Sequence, residues 1–314
     1  DEIPDVEQFP LRLAEIGEKM LAKTAVVKLN GGLGTSMGLE KAKSLLPVKD
    51  GYSFLDIIAH QAELANVPLL LMNSFSTEAD SLAVLEAYPD LNGSLNPSFL
   101  QHKEPKIRRD NFQPVDWPEN PELTWCPPGH GDIYAALMTS GMLQALLAMG
   151  YEYAFVSNAD NLGAVIDLAI LGYFAENKIP FMMEAADRTE MDKKGGHLAR
   201  RPDGQLLLRE SAQCPPEDQA DFQNIQRHKY FNTNNLWFHL PTLNEQMQAQ
   251  NNRLELPMIR NSKTVDPRDP NSVPVYQLET AMGSAIAVFK GAQAIRVPRS
   301  RFAPVKTSDD LLAV

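Results

Sequence analysis

The feature that most constrains the fold is an alternation of short buried strands with helices in the first half of the chain. Each parallel strand needs a crossover that returns the chain to the same side of the sheet, and helices supply it. The alternation therefore predicts an α/β fold, a mixed and mostly parallel sheet with helices on both faces. Apolar periodicity predicts helices over 8–22, 54–66, 77–88, 132–149 and 164–177, and strands over 25–30, 68–73, 153–157 and 180–184.

The rhythm changes in the second half of the chain. Two β-type runs flank a Pro-Asp-Gly turn within His197–Glu210, which is typical of a hairpin. Phe231–Leu240 reads as a further strand. We therefore expect an antiparallel insertion in the α/β core. The proline-rich stretch 89–128 shows little periodicity and is expected to form a long irregular connection.

Composition limits the partners of the chain. A formal net charge of −11 disfavours a nucleic-acid surface, although clustered lysines and arginines still allow small anionic ligands. The longest apolar runs are far shorter than the ~20 residues of a membrane span. Cys126 and Cys214 are isolated, which argues against disulfides or a zinc site. With no basic-then-apolar leader at the start, these features predict a cytoplasmic protein without a membrane or nucleic-acid partner.

A glycine-rich loop, KLNGGLGTSMG, occupies residues 28–38 directly after a buried strand. It contains the G-x-S-x-G pattern of a hydrolase, but Ser36 lies eight residues beyond Lys28 and lacks a suitable following helix. The glycine spacing is one residue too long for a dinucleotide fingerprint, and Ala42 precedes Lys43-Ser44 where a Walker motif needs glycine. A phosphate cradle of another kind remains, in which backbone N–H groups face an anion. A turn without a ligand is the alternative.

The loop, followed by Lys43-Ser44, closely resembles the nucleotide-binding signature of UTP–glucose-1-phosphate uridylyltransferases, also called UDP-glucose pyrophosphorylases. Further similar blocks follow in the family order: PPGHGDIYAAL (127–137), FVSNADNLGA (155–164), FNTNNLW (231–237), QLETAMGSAI (277–286) and VPRSRFAPVKTSDDLL (297–312). The resemblance implies a Rossmann-like nucleotidyltransferase sheet and one catalytic domain over residues 1–314. The family normally continues into a C-terminal β-helix domain, which we expect to be absent here, so the oligomeric state stays open.

The resemblance also implies the reaction, which is UDP-glucose and pyrophosphate formation from UTP and glucose 1-phosphate by direct in-line attack on the α-phosphorus. The attacking phosphate oxygen is already ionised at neutral pH, so the site needs no general base or covalent nucleophile. Positioning and charge stabilisation by lysines, backbone amides and Mg²⁺ are sufficient. The alternatives are a broad UDP-sugar or UDP-N-acetylhexosamine pyrophosphorylase, a non-catalytic nucleotide-binding protein, and a hydrolase that uses Ser36.

The site residues are carried over from the family blocks. Lys43 and Lys306 are expected to be the catalytic lysines on the phosphates, and Asp160 is expected to hold Mg²⁺, a hard cation that prefers oxygen ligands. The expected UTP contacts are Leu29, Asn30, Gly31, Gly32, Gly34, Thr35, Lys43, Gln101, Gly129, Asn158 and Lys306. The expected sugar-phosphate contacts are His130, Asn158, Gly196, Glu210, Asn232 and Asn234. Gln101 is the residue expected to read uracil, and Asp132 is expected to cap the helix that follows it.

Overall fold

The structure, a computed structural model, describes residues 2–33, 41–193, 195–305 and 308–313. The strands are β1 (Thr24–Asn30), β2 (Pro47–Lys49), β3 (Tyr52–Ser53), β4 (Leu69–Asn73), β5 (Ser98–Leu100), β6 (Glu104–Pro105), β7 (Ile107–Arg108), β8 (Trp125–Cys126), β9 (Tyr153–Asn158), β10 (Phe181–Asp187), β11 (His197–Arg200), β12 (Leu206–Arg209), β13 (Tyr230–His239), β14 (Met258–Thr264), β15 (Pro274–Thr280) and β16 (Gln293–Arg296). The helices are α1 (Leu11–Met20), α2 (Phe54–Ala65), α3 (Glu78–Leu85), α4 (Ile133–Thr139), α5 (Met142–Ala148), α6 (Leu168–Glu176), α7 (Gln219–Phe222), α8 (Leu240–Ala249) and α9 (Ser308–Ala313).

A nine-stranded sheet forms the centre of the described chain. Strands β5, β4, β1 and β9 are neighbours and run parallel. Strand β13 is antiparallel to β9, β10 and β11, and β16 lies parallel to β10. Within this described sheet only β13 and β12 run against the other strands. The predicted α/β class, with a mostly parallel sheet and an antiparallel insertion, is confirmed.

Helices cover both faces of this sheet because its central strands are apolar on both sides. Val27 and Leu70 pack in the same core cluster as α4, α5 and α8. Val26 and Leu69 point the other way and pack against α2. Alternate side chains of one strand point to opposite faces, so a strand covered on both sides reads as a continuous apolar run. No helix in the described ranges is both long and apolar enough to cross a membrane.

The predicted single helix over 132–149 is wrong. The segment forms two helices, α4 and α5, with Gly141 between them at φ +77°. A residue with a side chain rarely adopts this backbone conformation, so glycine ends one helix and begins the next. The helix predicted over 164–177 begins only at Leu168, where the Asp167 side chain accepts the N–H of Ile170.

A second antiparallel sheet was missed by the sequence analysis. Strand β15 pairs with β14 over seven residues and with β7 over two, so part of the proline-rich stretch 89–128 is ordered by pairing with a distant strand. Only Val275 of the fourteen residues in β14 and β15 is buried, and the apolar periodicity of the pair is correspondingly weak. This sheet leads directly to the site, because β15 ends at Thr280.

Candidate active site

The carboxyl ends of the parallel strands border a cleft with a volume of about 350 Å³. Ligands of open α/β sheets gather at this edge. The register brings the ends of β1, β4 and β9 together, since Asn30 pairs with Asn73 and Leu29 pairs with Asn158. Ten of the predicted site residues line the cleft: Leu29, Asn30, Gly31, Gly32, Lys43, Gln101, Gly129, His130, Asn158 and Asp160.

Close packing at the end of β1 explains one glycine of the loop. A Cβ atom on Gly31 would lie 2.5 Å from Nε2 of Gln101, so a side chain there is incompatible with the observed position of the amide. The backbone N–H of Gln101 donates to the carbonyl of Asn73 and fixes this segment to β4. Asn30 directs its side-chain amide away from the cleft, to Asn73 Oδ1 (2.7 Å) and Ser81 Oγ (2.8 Å). Asn30 therefore presents backbone to the cleft.

The turn before α4 forms the opposite wall. Gly129 has φ +81°, and a Cβ atom there would lie 2.7 Å from the carbonyl oxygen of Thr280. Strand β15 holds this turn, since the N–H of Thr280 donates to the carbonyl of Pro128 at 2.9 Å. The N–H of Met282 donates to Nδ1 of His130 at 3.0 Å. The arrangement fixes both a glycine and an imidazole against the cleft.

The surroundings of His130 determine its protonation state and its tautomer. Burial lowers the pKa of His130 to about 4, so the ring is neutral at pH 7. Because Nδ1 accepts the N–H of Met282, the proton of the neutral ring resides on Nε2. His130 is therefore a neutral hydrogen-bond donor.

Lys43 and Asp160 meet at the centre of the cleft. Nζ of Lys43 lies 2.6 Å from Oδ2 of Asp160, with both side chains less than one-fifth exposed. Lys43 begins a short 3-10 helix, and its N–H donates to the carbonyl of Gly32 at 3.2 Å. Asp160 follows β9 directly. A cation that follows the glycine-rich loop and an anion that follows β9 therefore lie in contact in the cleft.

Asp160 has one carboxylate oxygen to spare. Its Oδ1 atom is buried and has no hydrogen-bond partner among the described residues. The same residues contain no group of three or more His, Cys, Asp or Glu side chains suited to an all-protein metal site. Mg²⁺ is commonly held by one or two carboxylates together with substrate phosphates. The donor set around Asp160 fits a cation shared with a nucleotide.

The four remaining sugar candidates form a separate cluster that does not line this cleft. A Cβ atom on Gly196 would lie 2.7 Å from the Glu210 carboxylate, and burial raises the pKa of Glu210. Gly196 accepts the N–H of Asn232, whose Nδ2 donates to Oδ1 of Asn234 at 2.8 Å. Asn232 and Asn234 precede Leu236 in β13. Because Leu236 pairs with Val156 in an antiparallel register, they lie toward the carboxyl end of β9. Their role in sugar binding stays a prediction.

Some predicted residues lie outside the described ranges. They are Gly34, Thr35 and Lys306, together with Ser36 of the hydrolase alternative. Leu33 and Ala42 form an isolated bridge that joins the two ends of residues 34–40. Val305 donates its N–H to the carbonyl of Asp160 at 3.3 Å. Val305, the last described residue before position 306, therefore lies beside Asp160.

The cleft includes residues that the sequence analysis did not assign: Ser44, Met72, Pro127, Ala159 and Glu279. Glu279 belongs to β15, and the family block over 277–286 was the signal that pointed to it. Asp132 is the N-cap residue of α4, as predicted, but its side chain makes no capping hydrogen bond. Its carboxylate accepts the backbone N–H of His102 at 2.6 Å and contacts the His102 ring, which ties the Gln101 segment to the Gly129 turn.

Comparisons with known proteins agree with this geometry. The model of the family described as UTP–glucose-1-phosphate uridylyltransferase matches residues 1–314. The UTP–glucose-1-phosphate uridylyltransferase of Saccharomyces cerevisiae is 46% identical over 301 residues, covering 94% of this chain and 59% of the relative. A protein of Schizosaccharomyces pombe described as a probable enzyme of this kind is 44% identical, with 94% and 58% covered.

Solved structures show the same likeness. A variant of UDP-glucose pyrophosphorylase from Leishmania major, in complex with UDP-glucose, superimposes with a TM-score of 0.90 at 51% identity. The match covers 100% of this chain and 69% of that one. The chain spans 58–59% of the length of the two fungal relatives. It belongs to the UTP–glucose-1-phosphate uridylyltransferase family.

Proposed function

We propose that this chain carries the site that transfers the uridylyl group of UTP to glucose 1-phosphate, giving UDP-glucose and pyrophosphate. The observation that carries the proposal is the Lys43–Asp160 contact at 2.6 Å, in a cleft that also holds Gly31, Gln101 and Gly129. A wall suited to a nucleotide and a charged pair thus lie in one cleft. The proposal extends to this chain the activity named for the Saccharomyces cerevisiae relative and the UDP-glucose binding seen in the Leishmania major complex.

The uracil end of the cleft selects the nucleotide. The Gln101 side chain offers both a donor and an acceptor, which suit the carbonyl and N–H of uracil. Gly31 and Gly129 both line the cleft, and the proposal places the flat uracil base against their backbones. Asp132 links the two walls through His102. Strain in either wall is therefore expected to alter uracil binding.

The phosphate end supplies charge and positioning. Lys43 stabilises the negative charge that builds up on the phosphates in the transition state, and neutral His130 donates from Nε2 to a phosphate oxygen. Lys306, by resemblance to the family, provides the second lysine. Asp160 Oδ1 would hold Mg²⁺, which when bound neutralises phosphate charge.

The sugar phosphate is its own nucleophile. Its oxygen attacks the α-phosphorus, a new P–O bond forms, and the bond to the β-phosphate oxygen breaks so that pyrophosphate leaves. The protein need only hold the two oxygens in line, so the reaction requires no nucleophile–base pair. Gly196, Glu210, Asn232 and Asn234 are proposed to hold the glucose. The unpaired Cys126 and Cys214 support a reducing, cytoplasmic site of action.

A pyrophosphate-release assay tests the proposal. The protein is incubated with UTP, Mg²⁺ and each of glucose, galactose and N-acetylglucosamine 1-phosphate, with CTP and ATP as the nucleotide controls. We expect turnover with UTP and glucose 1-phosphate, and none after chelation of Mg²⁺. Equal rates with all three sugars would favour the broad UDP-sugar alternative. Binding of UTP without turnover of any sugar would overturn the enzyme proposal.

A further inference from the structure

Two segments around Asp160 are fastened together by one asparagine. We call residues 159–165 the Asp160 loop and residues 299–305 the Arg301 segment. Asn161 is 1% exposed. Its Oδ1 accepts the N–H of Ala303 at 3.1 Å, and its Nδ2 donates to the carbonyl of Arg301 at 3.0 Å. One side chain of the loop therefore satisfies a donor and an acceptor of the segment.

The backbones of the two segments also touch. A Cβ atom on Gly163 would lie 2.2 Å from the carbonyl oxygen of Ser300, so only glycine allows this approach. Nη2 of Arg301 donates to the carbonyl of Val165 at 2.9 Å. At the other end of the loop, Val305 donates to the carbonyl of Asp160. The contacts run along the whole Asp160 loop.

A buried ion pair anchors the Arg301 segment to the sheet. Nε and Nη2 of Arg301 donate to the two oxygens of Glu184 at 2.8 and 2.7 Å, and Glu184 is fully buried in β10. Trp237 Nε1 and Asn235 Nδ2 each donate to Glu184 at 3.0 Å. Burial alone lowers the pKa of Arg301, but the charge and hydrogen bonds of Glu184 raise it above its usual value. A bidentate pair fixes direction as well as distance.

We propose that Asn161, Gly163 and Arg301 are positioning residues for uridylyl transfer. They hold Asp160, and Val305 beside it, in a fixed position relative to Lys43. The inference rests on the proposed function of the cleft. A displacement of about 1 Å at reacting groups costs up to about 100-fold in rate. None of the three residues lines the cleft, so they act on the reaction through Asp160 and its neighbours.

The test variant is Gly163→Ala, which moves the two backbones apart without removing a charge. Restoring an ordinary contact of about 3.4 Å from 2.2 Å requires a shift of about 1 Å. We expect kcat for pyrophosphate release to fall about 10–100-fold, with KM for UTP and for glucose 1-phosphate within threefold. Rates are normalised to sites that bind UDP-glucose, measured by calorimetry, so that a misfolded fraction does not count.

Asn161→Asp is the second variant. The variant keeps an oxygen that accepts the N–H of Ala303 and loses the N–H that donates to the carbonyl of Arg301. It provides the test of positioning if Gly163→Ala does not fold. We expect its kcat to fall at least fivefold at unchanged KM. The control is Thr24→Val, which removes the hydrogen bond from Oγ1 of buried Thr24 to the carbonyl of Met20 at 2.9 Å, at the end of β1 opposite the cleft. It is expected to lower Tm and to keep kcat within twofold of wild type.

The outcomes separate this inference from the proposed function. Lower kcat at unchanged KM in the test variants, with a less stable but active Thr24→Val, supports positioning. An active wild type whose test variants keep full kcat overturns positioning alone. A kcat loss in Thr24→Val as large as in Gly163→Ala also overturns it, since destabilisation would then explain both. A wild type that forms no UDP-glucose overturns the proposed function, and the positioning inference with it.

Discussion

Substitution of Gly31 by alanine probes the contact between the glycine loop and the uracil reader. The added Cβ atom would lie 2.5 Å from Nε2, 2.9 Å from Cδ and 3.0 Å from Oε1 of Gln101. All three atoms belong to the end of a flexible side chain, so the amide moves and the backbone stays. We expect Gly31→Ala to fold normally and to bind UTP more weakly.

The magnitude follows from the displacement of the amide. An ordinary contact of about 3.4 Å requires Nε2 to move by about 1 Å, enough to break its hydrogen bonds to a base. Loss of one such pairing costs about 1–2 kcal/mol, which corresponds to roughly a 5–30-fold lower kcat/KM for UTP. Because the phosphate end of the cleft is untouched, kcat at saturating UTP should change much less.

A double-mutant cycle with Gln101→Ala is the assay. Initial rates of pyrophosphate release give kcat/KM for UTP in wild type, each single variant and the double variant. If Gly31→Ala acts only by displacing Gln101, the double variant loses no more than Gln101→Ala alone. Additive losses would refute the reasoning, as would a Gly31→Ala variant with an unchanged KM for UTP.

Three further predictions use other contacts of the site and of the sheet beneath it. Gly129→Ala should raise KM for UTP at least 10-fold and lower Tm, since it combines φ +81° with a 2.7 Å clash; Gly204→Ala, at φ +90° in open space, reports strain alone. The pKa of His130 in the folded state is depressed to about 4, below the ~6.5 of the unfolded chain. The free energy of unfolding is therefore expected to fall as pH drops from ~6.5 toward 4, and urea unfolding should show a smaller fall in His130→Gln. Burial lowers the pKa of Lys28 to about 7, below the ~10.4 of the unfolded chain. The cost of burying the ammonium is full below pH 7 and fades toward pH ~10.4. The free energy of unfolding should therefore rise over this range in wild type, and Lys28→Met should remove that rise.

The family blocks supplied the predicted site residues, and the positions of the buried strands indicated where several of them would meet. The ends of β1 and β9 carry Asn30, Asn158 and Asp160, and parallel strands bring such ends to one edge of a sheet. The resemblance to the family supplied the roles of Lys43 and Gln101, which no periodicity predicts. Contacts formed by one strand and the loop that follows it can thus be predicted from the sequence.

The missed features depend on pairings between distant segments. Glu279 reaches the cleft because β15 pairs with β14 and with the short β7, and none of these strands has a strong apolar pattern. Asp132 turned out to bind His102 because the chain from β5 passes beside the start of α4. The break at Gly141 was hidden by a continuous apolar periodicity, although glycine itself was the clue.

The central claim is that Lys43, paired with Asp160, makes this cleft catalytic. The most direct measurement is the kcat for UDP-glucose formation from UTP and glucose 1-phosphate in Lys43→Ala, compared with Lys41→Ala two residues away. Removing one preorganised charge from the transition state costs about 3 kcal/mol, so we expect Lys43→Ala to lose at least ~100-fold. Lys41 is exposed and does not line the cleft, and its variant should keep wild-type kcat. Equal rates in the two variants would contradict the account.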